Sequence, residues 1–464
     1  MARPGVILER TESLTESADA MTDRGPNRLL AAALTEAKFS ASGFARRICD
    51  AAESAGVPVH TSHTQIGRWL DGQQPRGAAP QLIATVLSEK LGRTITPTDL
   101  GFEGHSSPAP DALRMVTDPV EALRITADLW RADADGTAAR HGADLVGPVL
   151  GWLTAEPVGS VAWDGVRRVG MADVDALRST LSTFVYLDNE YGGGRARDAA
   201  VRYLTDCVSP LLDGTFSDAV GRALFTAAAE FTLLTGWMAY DTGKPDTAGN
   251  CFVHALALAQ AAGDRALGAS VLSAMSHQAN HIGDPRTALV IARGAVGSVP
   301  SDGSSTLRAQ FHAMEARAAA GLGDRSACLR ALSRSETALS RTDPKMPPWI
   351  AYFDACEFTD EAAHCHRDLG DHRQAVAAAE TCLAFQEQGS PRSRVFSRIV
   401  YAEALFGAGE AEHGADVANK VLPHATALAS RRTVAYLQRL RAKAGPYSTV
   451  STVATFLKNS ASAD

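Results

Sequence analysis

Aromatic residues are scarce in this 464-residue chain, at 6% against 45% apolar residues overall. Runs of β-branched and aromatic residues are missing, which disfavours sheet and leaves a chain rich in Ala and Leu to form helices. The seven cysteines stand singly, never as CxxC, and no secretory apolar stretch opens the chain. That excludes a disulfide framework and predicts reduced thiols in a cytoplasmic protein. No apolar run approaches the roughly 20 residues of a membrane span. A general basic excess is also absent: the formal charge is -7, so any contact with nucleic acid has to be local.

Signatures of catalysis are equally thin. "NEYGGGRARDAA" precedes a helix but lacks the GK[ST] ending and the strand of a P-loop, so it reads as an interhelix turn. Cys356, His364, Cys365, His366 and His372 do not share the i, i+3 or i+4 spacing of a four-ligand metal set. Buried thiols and surface histidines are expected there instead. Glu230 and Asp354 read as solvated or ion-paired, and no Ser-His-Asp or paired-carboxylate arrangement has motif support. Neither an enzyme nor a cofactor is expected.

What is present is helical periodicity in two blocks. Residues 1–26 mix charge, Ser and Thr without a period and read as a disordered arm. Short amphipathic helices follow over 27–100, and "GFEGHSSPAPDA" (101–112) reads as a linker. A helical connecting and dimerising region is expected over 113–216, a repeat domain over 217–444, and a tail over 445–464. The repeat domain shows "DTGKPDTAGNCFVHAL", "HIGDPRTALVIA", "GLGDRSACLRAL", "DLGDHRQAVAAA" and "GAGEAEHGADVA". Each has a glycine, a polar residue and then a helix with Ala four residues beyond that polar residue or close to it, at a period near 40 set by Gly243, Gly283, Gly323, Gly370 and Gly409. Such a hairpin cannot bury its own face, so neighbours must stack into a solenoid. "SRRTVAYLQRLRAKA" reads as its capping helix.

The front block predicts four short helices. The first, "NRLLAAALTEAKFS", sets Leu29, Leu30, Ala33 and Leu34 on one face; the second starts at Ser40 or Ser42. In the third, "HTQIGRWL", Ile66 and Leu70 point inward with Trp69 at the border. Thr64, Gln65 and Arg68 project from the opposite side, with His63 at the helix start. A guanidinium suits guanine O6/N7, an amide suits adenine, and Thr can touch a thymine methyl. Gln74 and Arg76 in "GQQPRG", and Ser42 at a helix N-terminus, are the expected phosphate contacts. Over 27–100 there are eight Lys/Arg and six Asp/Glu, so this block is slightly basic inside an acidic chain.

"SASGFARRI" and "HTQIGRWLDG" resemble the second and third helices of the lambda-repressor-like (Xre) helix-turn-helix family. With "EALRITADLWRAD", "LDNEYGGGRARDAAVRYL" and "GWMAYDTGKPDTAGNCFVHALALAQAAGDRALG", nearly the whole chain resembles large actinobacterial regulators that join such a domain to tetratricopeptide repeats. The resemblance implies an all-α fold: a small DNA-binding bundle followed by an α-solenoid of tetratricopeptide-like hairpins, although a 40-residue period is nearer to HEAT-like repeats than to the usual 34. It also implies control of differentiation or secondary metabolism. One departure is the connection "AAESAGVPVHTS" before the third helix, longer than the few residues of the family's compact form.

These readings converge on a cytoplasmic, homodimeric regulator that binds double-stranded DNA, with an inverted-repeat operator as the expected target. The concave face of the solenoid would sense a peptide, small molecule or protein. Tyr240, Asn250, His277, Asn280, Arg308, His312, Tyr352 and Arg398 are the candidates to line it, against the alternative that each faces solvent or caps a turn. The competing reading of the whole chain is a repeat scaffold for protein partners that does not bind DNA.

Overall fold

The structure, a computed structural model, describes residues 26–54, 61–75, 79–91, 95, 97, 100–102, 116, 118–137, 145–156, 165–300, 303–385 and 390–461. Among these the regular elements are helices, and β pairing is confined to a bridge between Arg168 and Thr215. The chain forms two compact units, Met1–Ala109 and Pro110–Asp464. No helix among the described residues is long and apolar enough to cross a membrane.

The first unit packs α1 (Arg28–Glu36), α2 (Ala41–Ser54), α3 (His63–Leu70) and α4 (Ala79–Leu91) around Leu30, Phe44, Ile48, Ile66, Ile83 and Leu87. Asn27 ties its ends together. Its Oδ1 accepts from the Leu30 N–H at 3.0 Å, its Nδ2 donates to the Leu100 carbonyl at 2.8 Å, and its own N–H donates to the Leu70 carbonyl at 2.8 Å. Ser40 takes the cap of α2, accepting from the Gly43 N–H at 3.1 Å. Leu29 departs from the expected inward face and is 55% exposed, because it lies about a quarter turn off the centre of the stripe defined by Leu30, Ala33 and Leu34. Phe102 is buried in this core, so the start of the expected linker completes the bundle instead. The rest of that linker, and the arm over 1–25, lie outside the described residues.

The second unit opens with α5 (Pro119–Ala134), α6 (Val146–Thr154), α7 (Met171–Tyr191), α8 (Arg197–Tyr203) and α9 (Ser209–Leu212). Five hairpins follow: α10 (Asp218–Asp241) with α11 (Pro245–Ala262), α12 (Arg265–His281) with α13 (Pro285–Ser298), and α14 (Ser305–Gly321) with α15 (Arg325–Leu339). The last two are α16 (Ala355–Asp368) with α17 (His372–Phe385), and α18 (Pro391–Ala408) with α19 (Ala411–Ala427). They stack as an α-solenoid. The expected glycine rule holds: Gly243, Gly283, Gly323, Gly370 and Gly409 all adopt positive φ, between 72° and 91°, at the turn inside each hairpin. Five residues on, Ala248, Ala288, Cys328 and Ala375 are fully buried, where a small side chain lets the paired helices close. Asp264, Asp284 and Asp324 cap the helices that follow their glycines.

Two expected boundaries are corrected. The region over 113–216 does not stand apart from the repeats. α5 packs on α11, with Thr126 Oγ1 and His254 Nδ1 3.1 Å apart, and α6 lies across α13. Trp152 of α6 is buried against Gly268, where a Cβ would lie 2.3 Å from the indole, so the missing side chain makes the seat. The expected tail also folds. After α20 (Arg431–Ala444), α21 (Ser451–Ser460) buries Val453 and Phe456, spaced three apart on one face, and packs on α19.

The array returns on itself. α18 packs against α7, and the glycine-rich turn after α7 meets the segment before α20. There the Gly194 N–H donates to the Ala429 carbonyl at 3.0 Å, and the Ala429 N–H donates to Tyr191 at 3.0 Å. The stretch "YGGGRA" is therefore an interhelix turn, as expected, and a Cβ on Gly194 would lie 2.7 Å from the Ala429 oxygen.

Candidate functional site

Each unit carries a candidate surface. In the first, Ser62 caps α3 by accepting from the Gln65 N–H at 3.4 Å, and Gly72 follows its end with φ 101°. Ile66 and Trp69 are buried, while Leu70 is only half-buried, so Trp69 rather than Leu70 completes the inward face. That anchoring leaves His63, Thr64, Gln65 and Arg68 exposed on one helix surface. Ser42 is exposed in the first turn of α2, with Arg46 and Arg47 exposed further along the same helix. Those two arginines were passed over in the sequence, although their spacing from buried Phe44, Ala45 and Ile48 places them outward. Gln74 is turned inward: its Nε2 donates to the Gly101 carbonyl at 3.3 Å, which commits its amide to the bundle. Arg76 and the Val57–Val59 stretch of the long connection lie outside the described residues.

In the second unit the first helices of the hairpins, together with α7, line a half-open cavity of about 840 Å³. Its apolar wall includes Leu233, Trp237, Met314, Trp349, Phe353 and Phe385. Trp349 and Phe353 come from the long insertion between α15 and α16, which is why the glycine spacing stretches to 47 residues between Gly323 and Gly370. Behind the wall, Tyr240 sits edge-on to Trp237, His277 and His281, with ring centroids 5.7, 5.7 and 5.1 Å away. Burial and the Arg432 and Arg317 guanidiniums hold His281 down to about 4. Burial and the same cations hold His277 well below its ordinary value. Both imidazoles are neutral near pH 7.

Charge is concentrated around this cavity and is mostly paired. Arg392 of α18 reaches Asp188 of α7 at 2.6 Å and Asp241 of α10 at 3.3 Å; Arg432 of α20 reaches Asp241 at 3.3 Å. These ion pairs join the first and last helices of the array. Burial works against the Asp241 anion, but Arg392, Arg432 and the Gly193 N–H together hold its carboxyl below the ordinary range. At Asp188 burial prevails and pushes the carboxyl up. Arg178 reaches Glu230 at 3.3 Å, and Arg317 pairs with Glu361. Asp354 caps α16 through the Cys356 and Glu357 N–H groups at 2.8 and 3.0 Å. Glu357 differs: no cation contacts it among the described residues. Burial and the nearby Asp360, Glu361 and Asp354 carboxylates push it well above the ordinary range.

Of the eight residues expected on the concave face, His277 and Tyr352 line the cavity and Tyr240 stands just behind it. Asn250 is buried within α11, the outer helix of its hairpin. Asn280 fills the contact with Gly321 of α14, where a Cβ would lie 2.6 Å from its Oδ1. Arg308 donates to the Pro300 carbonyl at 2.9 Å, His312 faces Glu315 at 3.2 Å, and Arg398 is exposed. Residues the sequence reading missed include Trp237, Gln310, Glu357 and Arg392. Glu357 and Glu361, spaced by four on α16, carried a legible signal: one acidic helix face. Among the cysteine–histidine group, Cys365 is buried as expected, whereas His364, expected on the surface, is buried too.

Residues 30–103 match the SP15 N-terminal domain family. The match covers the helices of the first unit. No curated protein matches the chain.

Proposed function

We propose that the chain is a sequence-specific DNA-binding transcriptional regulator of the cytoplasm, Xre-like in its first unit, whose helical-repeat unit senses an effector and joins two copies. The observation that carries the reading is α3: a capped helix with Ile66 and Trp69 locked into the core and His63, Thr64, Gln65 and Arg68 presented together on the outside. Arg68 would take guanine O6/N7 and Gln65 adenine, while Ser42, Arg46, Arg47 and Arg76 would meet phosphate. A two-fold dimer would read an inverted repeat with half-sites about one helical turn, or a multiple of it, apart. The acidic remainder of the chain repels non-specific DNA and leaves attraction to this one face. The half-open cavity supports the sensing role, with an effector favouring one placement of the two DNA-binding units.

The test is selection of bound DNA from a random pool with purified protein, followed by gel shifts on the selected site. Arg68→Ala is expected to cost about 10-fold or more in affinity, from the ~1–3 kcal/mol of a bidentate base contact. Arg76→Ala should weaken all sequences alike and reduce the salt dependence. Equal binding by wild type, Arg68→Ala and Gln65→Ala would sink the assignment of α3. A scaffold for protein partners predicts no salt-dependent DNA affinity at all.

A further inference from the structure

The cavity has an unbalanced chemistry that specifies what it would accept. Its two lining arginines, Arg392 and Arg432, are already paired with Asp188 and Asp241. Glu361 is matched by Arg317 and Glu230 by Arg178, while Asp354 is spent on the N-terminus of α16. Glu357 lines the same cavity one helical turn from Glu361 and has no cation in contact among the described residues. Glu357 is half-buried, so its carboxylate is only partly hydrated and stays open to the cavity, where a bound cation would give it the partner it lacks.

A second, independent group points the same way. Gln310 of α14 is only 6% exposed and lines the cavity. Its Nε2 is committed to the Tyr352 hydroxyl, and its Oε1 is a buried acceptor without a hydrogen-bond partner. An unmet acceptor of this kind calls for an N–H or O–H donor. Around both groups the wall is aromatic, from Trp237, Trp349 and Phe353. Aromatic faces attract cations as well as burying apolar surface. The volume, about 840 Å³, is that of a site for a small organic molecule.

We propose that this cavity binds a small organic cation, an ammonium group on an aromatic or aliphatic body, with its charge at Glu357, an N–H donated to Gln310 Oε1, and its body against Trp237, Trp349 and Phe353. The assignment rests on the sensing half of the regulator reading and names the class of effector.

The experiment is calorimetric titration of the full chain, without DNA, using tryptamine and indole-3-propionate as probes that share a ring but carry opposite charge. The amine should bind saturably and at least tenfold more tightly than the acid. Glu357→Gln should weaken tryptamine tenfold or more while raising the thermal midpoint of the ligand-free protein slightly, because its repulsion with the nearby Asp360 and Glu361 carboxylates has been removed. Gln310→Leu should weaken tryptamine several-fold. Equal or tighter binding of the acid, no saturable binding of the amine, or full affinity in both variants would overturn the proposal. Should Glu357→Gln fail to fold, the preference of the wild type and the Gln310→Leu variant decide the matter. A parallel gel shift on the wild type separates the two readings. DNA binding without amine binding refutes the ligand class alone; amine binding without DNA binding refutes the regulator alone.

Discussion

The two units differ in whether they bury charge. In the first, Arg46, Arg47, Arg68 and Lys90 are exposed, and the core among the described residues is apolar throughout. In the second, Asp188, Arg197, Asp241, Arg317, Glu361 and Glu403 are all buried. Burying a charge is tolerated only where a partner and hydrogen bonds offset lost hydration. A bundle of some 75 residues has too little interior for that, and its working surface is outward. A stacked array has interior enough for ionic networks, and its working surface is the half-open cavity it lines.

The strongest way to break this contrast is to remove one buried charge. Arg197 pairs with Asp133 at 2.5 Å, and both are nearly inaccessible. Arg197→Met should destabilise the second unit by about 3–5 kcal/mol, measured by urea unfolding, because Asp133 is left as an uncompensated buried anion. Replacing both partners with apolar residues should recover much of the loss. By contrast, Arg68→Ala on the exposed face of α3 should shift stability by less than about 0.5 kcal/mol.

Acid provides the next test. His254, buried between α11 and α5, is held down to about 4 by burial. Its neutral form is the one the fold accepts, so its contribution to stability is intact above the unfolded value of about 6.5 and is lost as pH falls towards 4. The accumulated penalty reaches roughly 3 kcal/mol near pH 4, at 1.36 kcal/mol per unit of pKa. His254→Gln should flatten that part of the stability–pH curve. If the slope between pH 6.5 and 4 is unchanged in the variant, the assignment to His254 fails.

A smaller loss than either buried charge is expected from a cap in the first unit. Asn27→Ala removes the α1 cap and the bond to Leu100, at a cost of about 1–2 kcal/mol. Thermal melts monitored at Trp69 should report this loss, while the second unit is unaffected. A melt that shifted both units together would show that they unfold as one.

The helical class, the hairpin glycines and the anchoring of α3 were legible in the sequence because each rests on local chemistry. Gly283 announces a left-handed turn and Ile66 an inward face, whatever surrounds them, although Trp69 rather than the expected Leu70 completes that face. The same logic missed α21, whose buried face is only Val453 and Phe456, and missed Gly263, which repeats the positive φ between hairpins rather than within one. On the concave face, residue type alone misled. Arg308 and Asn280 have the right chemistry but are spent on local contacts, whereas Gln310 and Glu357 are turned inward.

Composition and periodicity thus determined that the chain is all-α, that a short bundle precedes a repeat array, and which side of α3 is polar. Those properties follow from backbone preference and from the 3.6-residue turn, and need no knowledge of distant segments. Only the tertiary structure decided that 113–216 belongs to the array, that α7 and α18 meet, and that Glu357 and Gln310 share one cavity wall. These depend on contacts between residues far apart in sequence, where a missing side chain at Gly268 or an ion pair such as Asp188–Arg392 selects one packing over its competitors.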